Sequence, residues 1–252
     1  MRLVFSRDRA AQLDLLLRSI ERNMLPEETT VIWTASSERF LRGYEKIVSP
    51  NTRFVFQETD VEFDTALREA VGMSETVTFF CDDDIVFRPV PALPSSLLAE
   101  GVLCVRMVVG QGNKNMALPD GFPIWEWGQL EPHNFGFVGG VDGDTYRSQE
   151  VLEMLGEEKI GNPTWVETVL NMRFSKCDSL PLAASFQHQC VVGNAVNRVS
   201  PSSGVGCGFV FPQSTAKLNS KFLSGQRIDY DNLDFSGIDS CHHEILFRWK
   251  ER

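Results

Sequence analysis

From Arg2 to Phe87 the chain alternates short apolar runs with stretches whose apolar residues recur at helical spacing, and this alternation leaves few folds open. Arg2–Phe5 reads as a strand. Leu13, Leu16, Leu17, Ile20 and Met24 then fall on one face of a helix that Ser6 or Asp8 could cap. Thr29–Ser36 predicts a second strand, Ser37–Val48 a helix, and Arg53–Phe56 a third strand. Phe63, Ala66, Leu67, Ala70 and Val71 stripe a helix over Val61–Met73, and a fourth strand starts at Thr76. Helices between successive strands are the crossovers that parallel strands require. The expected class is α/β, with a mixed, mainly parallel, Rossmann-like sheet flanked by helices.

The fourth strand, VTFFCDDDIVF within Thr76–Phe87, runs into Asp82, Asp83 and Asp84 before returning to apolar residues. In open α/β sheets the carboxyl end of a strand faces the ligand crevice. Extended geometry would send Asp82 and Asp84 to one face and Asp83 to the other. Two converging carboxylates suit a hard dication, Mn²⁺ or Mg²⁺. An aspartate run can also cap a helix or solvate a turn, but three adjacent charges behind a buried strand repel one another unless something compensates them.

The 252 residues are 42% hydrophobic, enough for one substantial core, and we expect a single domain with halves at 1–109 and 110–252. A formal charge of −10 argues against a broad nucleic-acid or anionic-membrane surface, so an anionic small substrate would need a local metal or arginines. Cysteines 81, 104, 177, 190, 207 and 241 show no CxxC pairing and read as reduced thiols. The apolar run in MRLVFSRDRA is too short for a signal peptide and no segment has the length to span a bilayer, which predicts a cytoplasmic protein.

Val102–Val109 is a further strand, and Gly110–Pro132 a loop in which Trp125 and Trp127, beside Glu126, either form a wall for a sugar ring or pack the loop onto the body. Asn134–Tyr146 reads as a strand, its paired glycines allowing close approach of a ligand or a tight turn, followed by a helix through Leu155. Asn162 and Pro163 offer a cap and a first-turn proline for a helix to about Ser175 that carries Glu167. Ser200–Gly225 has the Gly and Ser content of a mobile lid, anchored through Phe209, Val210 and Phe211. Ile245, Leu246 and Trp249 give Ile238–Lys250 helical spacing, with His242 and His243 near its start.

Four segments and the tail, in this order, resemble the GT-A glycosyltransferases, in particular the exostosin-like hexosaminyltransferases and their inverting relatives. FSRDRAAQLDLLLRSI is similar to the family's first strand and helix, VTFFCDDDIVF to its DxD strand, and FVGGVDGDTYRSQEVLEML to its acceptor-side strand and helix. WVETVLNMRF resembles the acidic-pair helix, although the pair stands here as Val166 and Glu167, and SCHHEILFRWK resembles the closing His and Arg segment, with a different spacing.

The resemblance implies transfer of a sugar from a nucleotide diphosphate donor, a UDP sugar first, to a carbohydrate or other hydroxyl acceptor. It makes Asp84 the metal ligand, with Asp82 ligating through water or holding the ribose, and either His242 or His243 completing the shell. Ser6, Arg7, Arg9, Asp83 and Arg248 are the nucleotide and diphosphate candidates. Glu167 would accept the acceptor's proton if configuration inverts, or steady the oxocarbenium-like centre if it is retained. Asp82-x-Asp84 also fits a haloacid-dehalogenase-type phosphohydrolase, with Asp82 as nucleophile and Asp84 as acid/base, though three strands precede it and no acidic GDxxxD follows. A noncatalytic nucleotide-sugar binder is the third class.

Overall fold

In the computed structural model, residues 1–93, 98, 101–110, 124–129, 136–199 and 208–252 are described. The first half follows the alternation: β1 (Arg2–Arg7), α1 (Ala10–Asn23), β2 (Thr29–Thr34), α2 (Glu38–Tyr44), β3 (Thr52–Phe56), α3 (Asp60–Gly72) and β4 (Thr76–Cys81). Asp82 and Asp83 make a turn into β5 (Asp84–Val86). There follow β6 (Val102–Arg106), β7 (Ile124–Glu126), β8 (Asp144–Arg147), α4 (Ser148–Leu155), α5 (Pro163–Phe174), β9 (Leu182–Ser185), β10 (Val191–Gly193), α6 (Thr215–Leu223), β11 (Gln226–Ile228) and β12 (Trp249–Glu251).

The main sheet has eight strands in the order β3-β2-β1-β4-β8-β6-β9-β7. β3-β2, β2-β1, β1-β4 and β6-β9 are parallel, and β8 runs antiparallel between β4 and β6. The expected mixed, mainly parallel α/β class is therefore what the chain builds. After β1 the chain steps outward to β2 and β3, then returns across β1 to β4. Right-handed crossovers put α1 and α2 on one face and α3 on the other. α1 accordingly packs with α2 and α6, while α4 packs with α3 and α5. The reversal between β1 and β4 is a topological switch point, which opens a crevice beyond the strands' carboxyl ends.

The helical stripes become core. Leu13, Leu16, Leu17 and Ile20 of α1 are buried, each contributing about 1.5–3 kcal/mol of burial. α1 has no side-chain cap, because the Asp8 carboxylate accepts the Ser36 amide at 2.7 Å instead. α3 starts with a Thr59–Glu62 capping box, and the Asn162 side chain caps α5 through the Trp165 amide with Pro163 in the first turn, as the sequence predicts.

Several second-half expectations are corrected. The strand in Asn134–Tyr146 is confined to Asp144–Arg147, after a loop over 137–143, while 134 and 135 lie outside the described residues. Trp125 and Trp127 are core side chains, and the Trp127 indole donates to the Leu180 carbonyl at 2.9 Å, so they form no sugar wall. Residues 200–207 lie outside the described residues. The rest of the expected lid contains α6, whose Leu218 and Phe222 are buried. Of the three expected anchors, Phe211 packs against the core while Phe209 and Val210 are 82% and 65% exposed; the segment is also held by its amides, three of which donate to the Glu244 carboxylate.

The tail is extended rather than helical, because partners distant in sequence take up its backbone. Gly193 receives the His243 amide and donates to the Cys241 carbonyl, and the Asn194 side chain bonds both the amide and carbonyl of Ile245. Among the described residues no helix is long and apolar enough to cross a membrane, and the five described cysteines form no disulfide with one another.

Candidate active site

A cavity of about 500 Å³ occupies the switch-point crevice. Of the residues singled out in the sequence, Ser6, Arg7, Arg9, Asp82, Asp83, Asp84, Glu167 and His242 all line it. His243 and Arg248 are not among the lining residues. His243 contributes its amide to Gly193, and Arg248 is exposed next to β12, its carbonyl accepting the Asp229 amide.

The three aspartates do not share roles by strand alternation, because the chain turns at Asp82–Asp83. Asp82 faces donors. Its Oδ2 accepts Ser6 Oγ at 2.8 Å and the Arg7 amide at 3.0 Å, and its Oδ1 accepts Arg9 Nη1 at 2.9 Å. Asp83 shares the same guanidinium at 3.1 Å, and Arg9 Nε donates to Asn197 Oδ1 at 2.7 Å. Arg9 is thus occupied by the protein and serves as a positioning residue for the turn. Burial raises the Asp82 carboxyl, Arg9 partly offsets this, and the balance lies at about 6. Behind this pair, the buried Tyr44 hydroxyl bonds Ser6 Oγ at 2.7 Å and accepts the Arg9 amide.

Asp84 begins β5, opposite Gly193 of the antiparallel β10. Its Oδ2 accepts the Cys81 amide at 2.8 Å, while Oδ1 is buried with no hydrogen-bond partner among the described residues. Such an atom carries a cost of roughly 1–3 kcal/mol unless something meets it. Burial first, then the charges of Asp142 and Asp83, push the Asp84 carboxyl well above the usual range.

Asp142, which sequence reasoning missed, lies in the glycine loop before β8 and lines the same cavity. The loop is pinned by the Gly143 amide donating to the Phe79 carbonyl at 2.7 Å, with Gly143 at φ +77°. Asp142 Oδ2 is 3.4 Å from His242 Nε2, and His242 Nδ1 is 3.4 Å from Cys241 Sγ. Burial alone would lower the imidazolium, but its hydrogen bond to Asp142 and then Cys241 outweigh this and hold it up to about 12. Burial would likewise raise Asp142, yet His242 keeps it below its ordinary value. Glu167 stands on α5 at the cavity edge, where burial and then Asp142 raise it to about 8.

Two arginines sit at the cavity without being buried. Arg7 is exposed and its guanidinium has no partner among the described residues; Arg198, also exposed, was not foreseen. Only the glycines of GGVDGD hinted at a ligand approach near Asp142. Nothing in sequence spacing joins Asp142 to His242.

Among the described residues no group of three His, Cys, Asp or Glu side chains is arranged to hold a metal. The donor set that does fit is a buried, unpartnered carboxylate oxygen beside further carboxylates, suited to Mg²⁺ or Mn²⁺, which take one or two protein carboxylates and fill the remaining positions with phosphate oxygens and water.

No protein-family model matches the chain, and no curated protein matches it. Solved structures similar to it include LgtC, described as a galactosyltransferase in complex with donor and acceptor sugar analogs, at 10% identity over 88% of this chain and 96% of that one, with a TM-score of 0.42. An active-site mutant of LgtC gives 12%, 89%, 95% and 0.40. A 4-diphosphocytidyl-2C-methyl-D-erythritol synthase from Anaerococcus prevotii gives 12%, 75%, 88% and 0.37.

Proposed function

We propose that this chain is a metal-dependent glycosyltransferase of GT-A type, moving a sugar from a nucleotide diphosphate donor, a UDP sugar first, to a hydroxyl acceptor. The observation that carries the reading is the Asp84 carboxylate, which leaves Oδ1 buried and unpartnered in a switch-point cavity that also has an unpaired Arg7 at its rim. A dication at Asp84, completed by water and diphosphate oxygens, would supply Lewis-acid stabilisation of the leaving group. Arg7 is placed to add a bidentate phosphate contact. Ile32, Thr34, Gln57 and Glu58 line the part of the cavity nearer β2 and β3 and leave room for the nucleoside.

In the transfer, the bond between the anomeric carbon and the diphosphate oxygen breaks and its electron pair leaves with the diphosphate. The acceptor oxygen bonds the anomeric carbon and gives its proton to Glu167. Burial and Asp142 raise this carboxyl to about 8, which makes it a stronger base once ionised, so transfer through it should rise with pH up to that value. His243 and Arg248 take no part in this account, and His242, whose ring nitrogens face Asp142 and Cys241, is a wall of the cavity rather than a metal ligand in this arrangement.

The phosphohydrolase reading is weakened by Asp82. A nucleophilic carboxylate needs an oxygen that a substrate can reach, and here the Asp82 side chain is buried and three donors take up most of its lone pairs. A thermal-shift panel of nucleotide sugars with and without Mn²⁺ tests the proposal: manganese-dependent stabilisation by a UDP sugar is expected, and stabilisation by beryllium fluoride alone would favour the hydrolase. Slow donor hydrolysis in the absence of acceptor separates the enzyme from a pure binder.

A further inference from the structure

We propose that Asp142 is the second protein carboxylate of the cation site, so that the metal is held between the aspartate turn and the glycine loop before β8. The inference rests on the transferase reading and adds to it a residue outside the DxD segment.

Cys81 lies between the two acids: its amide donates to Asp84 Oδ2 at 2.8 Å, and its side chain is near enough to Asp142 to help hold that carboxyl below its ordinary value. Gly193 marks where they face. A Cβ built there would stand 3.6 Å from the unpartnered Asp84 Oδ1 and 2.7 Å from His242 Cδ2, the ring whose Nε2 meets Asp142. The bare α-carbon of Gly193 therefore leaves a space bordered by the orphan oxygen and the His242–Asp142 pair, and Asp84, Asp142, Gly193 and His242 all line the one cavity. Asp142 is met by the His242 ring, whereas Asp84 keeps a bare oxygen and is pushed up by burial and then by the charge of Asp142; a dication shared between the two acids removes that repulsion. Two carboxylates, with phosphate and water in the remaining positions, match the preference of Mn²⁺ and Mg²⁺ for oxygen ligands without a complete protein cage. Asp142 is well placed for the task because the sheet fixes its loop through Gly143 and Phe79.

The test is calorimetric titration of Mn²⁺ into the wild-type chain, Asp84→Asn, Asp142→Asn and Asp142→Glu, each with and without UDP. Asp142→Asn should bind Mn²⁺ at least about tenfold more weakly, and Asp142→Glu should recover most of the loss. Asp142→Cys supplies a readout that a merely structural role would not move: its preference should shift from Mn²⁺ toward Cd²⁺ relative to wild type, because a thiolate is a softer ligand. If Asp142→Asn does not fold, the Cd²⁺ preference of Asp142→Cys decides, and an unchanged preference overturns the proposal. Wild-type affinity in Asp142→Asn alongside lost affinity in Asp84→Asn overturns the role of Asp142 and leaves the transferase reading standing. Absence of Mn²⁺ binding to the wild type, with or without UDP, overturns both.

Discussion

Asp82 and Asp84, two residues apart, should respond to the same isosteric change with opposite signs. In Asp82→Asn the amide oxygen can keep Ser6 Oγ and the Arg7 amide, but its NH₂ then faces Arg9 Nη1, now 2.9 Å from Asp82 Oδ1. A charge-assisted hydrogen bond, worth about 1.5–3 kcal/mol, is replaced by a donor facing a donor. Arg9 keeps Asp83 at 3.1 Å and Asn197 at 2.7 Å, so the loss stays below the 3–5 kcal/mol or so expected when a buried charge is left alone. Neutralising a carboxyl that burial raises to about 6 offsets part of this loss, so we expect a cost of about 1–2 kcal/mol and, for a chain of this size, a fall in Tm of about 2–8 °C. In Asp84→Asn the oxygen retains the Cys81 amide, no arginine is stranded, and a charge repelled by Asp142 and Asp83 disappears. Metal-free protein carrying that change should lose nothing and gain up to about 1 kcal/mol. Urea unfolding in EDTA, with m-values compared to confirm a like-for-like transition, measures both. A wild-type midpoint for Asp82→Asn, or an Asp84→Asn variant less stable than Asp82→Asn, would refute this division of roles.

Glu167→Gln should leave Mn²⁺-dependent nucleotide-sugar binding intact while reducing transfer at least about a hundredfold, read as kcat against donor Kd. The folded Glu167 carboxyl lies at about 8, above its ordinary value of 4.5, so the native state holds the proton more tightly than the unfolded chain. Its contribution to stability is complete below about 4.5 and is lost as pH rises toward 8, and the Glu167→Gln variant should show a shallower decline across that window in denaturant midpoints measured without metal. Asn194→Ala removes both side-chain bonds to Ile245; amide exchange at Ile245 and His243 should accelerate before that of β1 or β4 does, and uniform acceleration would contradict a locally fastened tail.

The first half of the fold was legible because its determinants are local. The helical stripes and the apolar runs of β1 to β4 each declare themselves within a few residues, and right-handed crossovers then order the strands. The second half depends on partners far away in sequence. β8 inserts antiparallel between β4 and β6, and residues 241–245 stay extended because Gly193 and Asn194 take their hydrogen bonds, although Ile245, Leu246 and Trp249 carry a helical period. The site divides in the same way. An aspartate triplet at a strand end is visible as text, and eight of the ten singled-out residues share the cavity. That Asp82 is engaged by Arg9 while Asp84 keeps a bare oxygen depends on a turn, and Asp142 is joined to His242 only through tertiary structure.

The way the tail is fastened also orders events in time. A nascent chain emerging from the ribosome can lay down β1 to β4 and form the aspartate turn while His242 is still unmade, so the crowded carboxylates remain open to solvent and free cations during synthesis. Only when residues 241–245 zip along Gly193 and Asn194 does that wall of the cavity rise. Enclosure of the acids thereby depends on a segment more than one hundred and fifty positions downstream of the aspartate turn, and it cannot be complete before that segment is in place.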